Sequence, residues 1–564
     1  MSMLDWLVLL LFLAYTIWDG MRRHGGAKSV DDQFLAGRNM AWWGIGISVL
    51  ATQASAATFI GTTGQAFFHD MRFVQFYFGM PIAMVILAVT LVPLYHKIKA
   101  YTAYQLLEDR FGLKVRLAAS FIFLLSRGLA TGLAIVAPAI VLTFILNLAL
   151  PYTILIIGLV ATVYTVFGGI GGVIRTDIKQ MGLMLFGLAF CLFWILHKLP
   201  ENVGMGEALE VAGALGKLET IDINWDLQNK YSIWSGMLAG TFLMLAYFGT
   251  DQAQVQRYLT AKNATHAKLS LILPAFVKVP MQFMILLIGA LLYVFYVFTP
   301  SPPAFSQEYF GETIPAEAPV EAFNEAHAER KNAAFAYLAQ PSNSNKTALR
   351  DQDTVLRKIH KGELNRLEAL SQRKRNDTNF VLPYFMLHEM PPGILGLIIA
   401  AIFAAALSSL DSLLNSLAAS SVMDWYCMIR KGDRSPEHDL KAARIATAFW
   451  GVVATSSALA FGETESIVEL VNKVGSYFYG PLLGVFALLW VKRASGTSAL
   501  IGLIGGILLV ILCSMLYQNP DEQWQLAWSI PKGSKAFLSY LWLNPLGAGL
   551  TILLGWGLGK KRDF

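Results

Sequence analysis

The sequence predicts an all-α polytopic membrane protein of about thirteen transmembrane helices, and three observations carry that prediction. First, 55% of the 564 residues are hydrophobic and only 15% are charged, with a mean hydropathy of +0.50. Second, apolar runs of bilayer-spanning length recur along the chain. Third, the run over 393–426 carries Ser408, Ser409, Asp411, Ser412, Asn415 and Ser416 in its middle. Ser408, Asp411, Ser412 and Asn415 fall at helical spacing on one stripe, so that helix faces a bundle or a cavity and not lipid. An ionisable group at membrane depth points to an ion or substrate path.

Taken in order, the runs lie near 4–20, 42–66, 73–95, 117–146, 151–172, 178–197, 233–254, 271–298, 393–426, 442–461, 466–491, 497–517 and 537–558. The first has Asp5 before it and Arg22, Arg23 and Lys28 after it, the reverse of a signal peptide, so it is expected to stay as an anchor. Placing the N-terminus outside puts Lys97, Lys99, Arg110, Arg175, Lys179, Arg257, Lys262, Arg430, Lys431, Arg434, Lys492, Arg493 and Lys560 to Arg562 inside. The basic residues of the short loops thus gather on one side, which predicts a cytoplasmic C-terminus. The polar stretch 301–390 must then lie outside, as a helical hairpin entered at Pro319 with a second helix from Thr347 to Arg373. It reads as a solvated hairpin in preference to a lid. Asn345 and Asn376 begin glycosylation sequons, which matter only in a secretory pathway.

The second run centres on small and polar residues, Ala51 to Thr58, bracketed by Gly44, Gly46, Gly61 and Gly64. Such a helix is expected to break, because an unwound turn at membrane depth is tolerated where it lines a cavity or binds an ion. The seventh run is also interrupted, at Gly236, Gly240 and Gly249, and turns polar at Thr250. Two interrupted runs five apart suit an inverted repeat of runs 2–6 against 7–11, with a site between them. Asp177 stands at the edge of the bundle between Arg175 and Lys179, where a surface salt bridge is the plain alternative to a functional role. Lys278, about two turns inside its run, is a candidate for a cavity-facing role, whereas Arg127 reads as a snorkelling side chain. Lys473 also lies in an apolar stretch.

Several function classes fall away. The three cysteines show no CxxC spacing, none of the nine histidines falls in mid-span, and no basic face interleaved with aromatics suggests nucleic acid. The cluster around Gly168 and Gly172 follows no strand, so it is no nucleotide loop. His388-Glu389 does not extend to HExxH, and no nucleophile with its base is recognisable, so an enzyme is not expected.

The motifs ATQASAATFIG, AYQLLEDRFG, GGIGGVIRTDIKQ, GTDQAQVQRYLTAK and AAALSSLDSLLNSLAASSVMDWY resemble those of the sodium:solute symporter family, over roughly residues 4–495. The resemblance implies a LeuT-type five-plus-five inverted repeat whose first repeat helix is discontinuous. It implies a sodium site built from the carbonyls of Ala51, Ala54 and Ala405 and the hydroxyls of Ser408 and Ser409. An all-oxygen set of this kind suits a small hard cation. It implies a possible second cation site at Asp177, Ser408, Asp411 and Ser412, where Asp411 replaces a neutral hydroxyl residue common in the family. Thr58, Lys278 and Asn472 match substrate-pocket positions, and Tyr247 matches an aromatic inner gate. Thr58 and Asn472 depart from the glutamines of the sugar carriers, and Lys278 could meet a substrate carboxylate.

These implications give the following organisation: an anchor helix and inner loop over 1–40, a transport core over 41–495, and two further transmembrane helices over 496–564. The core holds repeats near 42–197 and 233–491 and an extracytoplasmic insertion over 299–391. The expected activity is sodium-coupled symport of a small polar organic solute, such as an organic anion, a vitamin-like acid, a sugar or an amino acid. The expected setting is the plasma (inner) membrane. Sodium is the coupling ion, no organic cofactor or other metal is implied, and the partners are the solute, sodium and the lipid bilayer, without nucleic acid. A proton-coupled permease of the same fold is the nearest alternative. A solute sensor is remoter, because the chain ends at Phe564 just after its last span with no signalling module attached.

Overall fold

The structure is a computed structural model that describes residues 1–22, 29–146, 148–306, 320–371, 376–430, 435–461, 467–520, 523–527 and 534–559. The basic residues Arg23, Lys28, Lys431, Arg434 and Lys560 to Arg562, the hairpin entry Pro319 and the helix end Arg373 lie outside the described residues. Among the described residues, fifteen helices are numbered here in chain order, and further helices, such as Met80–Val89 and Met205–Ala214, lie between them. The fifteen begin with α1 (Met3–Arg22), α2 (Trp42–Gln53), α3 (Ala56–Phe68), α4 (Leu113–Leu146), α5 (Leu150–His197), α6 (Gly240–Gly249), α7 (Gln252–Leu259) and α8 (Ala264–Phe298), then the hairpin pair α9 (Val320–Ala339) and α10 (Asn343–Ser371). The rest are α11 (Ile394–Ser420), α12 (Pro436–Phe461), α13 (Ile467–Ala487), α14 (Gly496–Met515) and α15 (Leu543–Gly557).

Six helices among the described residues are long and apolar enough to cross a membrane, or seven if the bent pair α2 and α3 forms one crossing. That pair confirms the expected break in the second run: the two segments are bent by 52°. Ala54 (φ −92°, ψ 56°) ends α2, and the Ser55 hydroxyl restarts the chain by accepting from the Thr58 amide at 3.3 Å. Here Ala-Ser-Ala carries too little side chain to favour one helical register, and a serine cap competes with the helix for the same amide. The seventh run breaks likewise, with α6 ending at Gly249 and Asp251 capping α7 through the Ala253 amide.

Three expectations need correction. The fifth and sixth runs turn at Gly169 (φ 58°), inside α5, and not at 173–177. Asp177 therefore belongs to the helix after the turn and is completely buried, while Arg175 and Lys179 remain exposed. Residues 516–536 add a small antiparallel sheet to an otherwise helical chain, with strands β1 (Leu516–Gln518), β2 (Trp524–Leu526) and β3 (Lys535–Ala536) in the order β2-β1-β3. Finally, the hairpin of α9 and α10, which starts its second helix at Asn343, is docked more than solvated. Arg330 and Asp353 are buried against Tyr293 and Tyr296 of α8, and Arg350 donates to the Ala214 carbonyl at 2.6 Å.

The core centres on α11, of which every residue from Ile398 to Ser420 is buried. It packs on α5, α4, α1 and α12 and touches both halves of the broken helix. Its N-terminus is fixed by α1: Asp5 Oδ1 accepts the amides of Gly393 at 2.6 Å and Gly396 at 3.0 Å. Gly396 permits this approach, since a Cβ there would sit 2.4 Å from the Asp5 carbonyl oxygen. Asp5→Ala is expected to remove about 1 kcal/mol of capping energy and lower the thermal midpoint, with Asp5→Asn retaining part of it. Fluorescence-monitored unfolding of the three proteins checks this.

Candidate functional site

The site forms where the break between α2 and α3 meets the polar stripe of α11. Unwinding at Ala54 frees backbone carbonyls, and side chains take them up. Gln53 O accepts the Thr58 hydroxyl at 3.1 Å and the Lys278 ammonium at 3.2 Å. Thr52 O lies 3.1 Å from Ser409 Oγ, which is also 3.1 Å from Ala405 O. One hydroxyl proton serves one of these two acceptors at a time, so three oxygens converge on a buried point between the two elements. Of the five sodium ligands implied by the sequence motifs, Ala405 and Ser409 meet here. Ser408 Oγ is buried close to Asp177 without reaching hydrogen-bond geometry, and it has no hydrogen-bond partner among the described residues. The carbonyl that approaches is Thr52's, whereas Ala51 O still accepts an amide, that of Ala54 at 3.1 Å.

The rest of the α11 stripe is matched residue by residue. Thr165 of α5 donates to Asp411 Oδ1 at 2.8 Å, and Gln256 of α7 donates to Asn415 Oδ1 at 2.8 Å. Ser412 donates back to Ser408 O at 2.7 Å and accepts from Arg257. Arg257 is the largest departure from the sequence reading, which set it in an inner loop. It is fully buried, donates to Ser48 Oγ at 2.9 Å, to Ala253 O at 2.6 Å and to Thr52 Oγ1, and lies 3.8 Å from Asp177 Oδ2. Asp177 also accepts from Ser48. A guanidinium thus stands against Asp177 and Ser412, two members of the possible second cation set, while Asp411 turns to Thr165. The physical reason is charge pairing, since a buried carboxylate is strongly destabilising without a cation and α7 delivers one.

The same rule places Arg127, read from sequence as a snorkelling residue. It is buried in ion-pair contact with Asp251, and its guanidinium lies 5.1 Å from the Tyr247 ring centre and 5.2 Å from that of Tyr479. Tyr479 donates to the same carboxylate at 3.2 Å and Gln254 to the Tyr247 hydroxyl at 2.7 Å. Arg116 pairs with Asp424 at 2.8 Å. Of the four buried carboxylates Asp177, Asp251, Asp411 and Asp424, only Asp411 has no ion pair among the described residues, and its Oδ2 accepts no hydrogen bond there. The signal for these pairs was present in the sequence as intramembrane Asp and Arg in apolar runs. Their partners, 80 to 308 residues apart, were not.

A cavity of about 140 Å³ opens beside this cluster. Thr58 and Asn472 line it, together with Tyr247, Ser55, Ser409 and the rings of Tyr77 and Tyr479. Lys278 does not line it. The lysine is fully buried behind the break, tied to Gln53 O and 4.9 Å from the Tyr77 ring centre, so it braces the unwound turn instead of facing a solute. The exposed Lys473 does not line it either. Arg127 is the one charged side chain in the lining, and sequence reasoning missed it.

With the geometry described, comparison with known proteins gives a consistent answer. The model of the sodium:solute symporter family matches residues 33–308 and 365–506. The sodium/sialic acid symporter of Proteus mirabilis is 29% identical over 523 residues, covering 90% of this chain and 89% of that protein. The human sodium-coupled monocarboxylate transporter 1 is 26% identical over 487 residues, covering 86% and 68%. A solved sodium-coupled sialic acid symporter, in a substrate-bound outward-open state, superposes with a TM-score of 0.74 at 25% identity, covering 98% of this chain and 97% of that one.

Proposed function

The chain belongs to the sodium:solute symporter family, and from that premise we propose that it imports a small organic anion through the cavity between the broken helix and α11. It is a multi-pass membrane transporter and not an enzyme, and its activity is sodium-coupled symport of a small organic solute. The observation that carries the anionic reading is Arg127, the one charge lining the cavity, held between two tyrosine rings. Asp251 engages the Nε and Nη2 side of the guanidinium, and the remaining donors are the ones proposed to meet a carboxylate. Thr58, Asn472 and Tyr247 supply polar contacts, and Tyr247 closes the inner side.

Sodium is assigned to the oxygens around Ser409, with Ala51, Ala54, Ala405 and Ser408 completing the set as the helices rock. The Asp177, Ser408, Asp411 and Ser412 set is a second cation position that Arg257 has to share. The architecture proposed is thirteen crossings in a five-plus-five inverted repeat, with repeats near 42–197 and 233–491 and the N-terminus outside. Further elements of the proposal are the anchor over 1–40, the insertion over 299–391 outside and the two last helices over 496–564. Coupling follows from differential affinity, since each ligand biases the rocking equilibrium only by the free energy with which it distinguishes the two states.

A thermal-shift screen of small carboxylic acids, with sodium or choline at fixed pH, tests this. A bound ligand at a hundred times its Kd raises stability by about 2.7 kcal/mol. The expected hit is an acid whose shift needs sodium, and Arg127→Met should weaken its apparent affinity at least about tenfold. A neutral amide binding as well as its acid would overturn the anionic reading. A second reading, proton coupling, is favoured by Asp411, the carboxylate of the central cluster that has no ion pair among the described residues. Uptake that persists in choline and follows an imposed pH gradient selects it.

A further inference from the structure

A second cavity, of about 60 Å³, lies at the hairpin end of the bundle and shares no lining residue with the central cavity. Its walls are aromatic, with Phe67 and Phe68 from the end of α3, Tyr293 and Tyr296 from α8, and Phe305. Its polar groups are Arg330 from α9 and Arg357 and His360 from α10. Three of these residues hold a buried polar atom with no hydrogen-bond partner among the described residues: Arg330 Nε, Tyr296 Oη and His360 Nε2. Arg330 and Tyr296 are each only 3% exposed. An Arg Nε can only donate, and a phenol donates readily, so what these atoms lack is an acceptor. His360 Nδ1 lies 2.7 Å from the Pro303 carbonyl and must donate to it, so Nε2 is the ring nitrogen left for an occupant.

The basic groups around the cavity point the same way. Two arginines and a lysine surround the Tyr293 ring, with Lys217 Nζ 3.9 Å, Arg357 5.2 Å and Arg330 5.7 Å from its centre. Asp353 meets both arginines and Tyr293. The other carboxylate nearby, Asp377, lies 3.8 Å from His360 but is committed to the amides of Phe305 at 2.6 Å and Ser306 at 3.0 Å. Lys217 is fully buried and meets carbonyls, those of Phe67 and His69, so no carboxylate neutralises it directly. Burial, reinforced by the Arg357 charge, pushes its ammonium well below the usual lysine range. Buried donors left without an acceptor in an aromatic setting are destabilising until an acceptor joins them.

We infer that this cavity is a binding site for one small anion, a carboxylate or a halide, held by Arg330, Tyr296 and His360 where the hairpin joins α3 and α8. The aromatic walls favour a flat organic acid, and the volume admits a few heavy atoms, given that one water needs about 10–15 Å³. Because Phe67 and Phe68 end the same helix whose start, Ser55 to Thr58, lines the central cavity, an occupant here braces the outer half of the broken helix.

The test is thermal unfolding of the purified full chain, titrated with sodium acetate or sodium chloride at constant sodium, balanced with sodium HEPES. A saturable upward shift is expected with at least one of the two anions, and which of them acts tells an organic acid from an inorganic ion. Tyr296→Phe and His360→Gln, which keep the fold's packing, should each raise the half-saturating concentration at least tenfold. Arg330→Gln should abolish the shift. Asn472→Leu, which fills the central cavity, should leave it intact. No shift with either anion in the wild type, or a shift lost in Asn472→Leu but kept in Tyr296→Phe, overturns the site.

Discussion

Arg257→Met is expected to reduce the folded yield and thermal stability more than any other single change at the central site, by about 3–5 kcal/mol. The substitution preserves apolar volume but leaves Asp177 as a buried carboxylate with no cation beside it, and it strips donors from Ser48, Thr52 and Ser412. Removing both charges is a different matter. Arg257→Met combined with Asp177→Asn should recover a large part of the loss, because replacing a buried pair with neutral groups is much milder than breaking it. Size-exclusion yield and unfolding midpoints of the two single variants and the double variant measure the coupling directly. Additive effects in that cycle would show that the pair does not act as a unit.

Ser409→Ala is expected to raise the sodium concentration for half-maximal effect at least tenfold, equivalent to about 1.4 kcal/mol, while changing basal stability by only about 1 kcal/mol. The hydroxyl removed is the one oxygen that touches both the unwound turn and α11, at Thr52 O and Ala405 O. Sodium titrations of the thermal midpoint, in parallel with uptake of the acid found by screening into reconstituted vesicles, separate the two effects. An unchanged sodium titration would remove Ser409 from the ligand set. Ser412→Ala serves as a contrast: its hydroxyl is engaged by Ser408 O and Arg257, so its loss should act on stability more than on sodium affinity.

Much of this protein could be read in its sequence because the relevant physics is local. An apolar run of about twenty residues can only be a helix in a membrane. The break at Ala54 and Ser55 follows from small residues and a capping hydroxyl next to each other. The stripe of Ser408, Asp411, Ser412 and Asn415 follows from helical periodicity alone, and each of its members proves to meet a different neighbour. Thr58, Asn472 and Tyr247 fall in the cavity lining because their runs border the break.

What the sequence by itself determined, then, is that the chain is a mostly helical membrane protein, that its second run breaks and which face of α11 is polar. Only the tertiary structure decided how the buried charges pair. Lys278 and Arg127 look alike along the chain, single cations in apolar runs, yet one ties down Gln53 O behind the turn and the other meets Asp251 in the cavity wall. Arg257 likewise lies next to a loop in sequence but in the heart of the bundle in space. Periodicity carries information over one or two turns of helix, whereas the electrostatic cost of an unpaired buried charge is satisfied by whichever element packing brings within 4 Å.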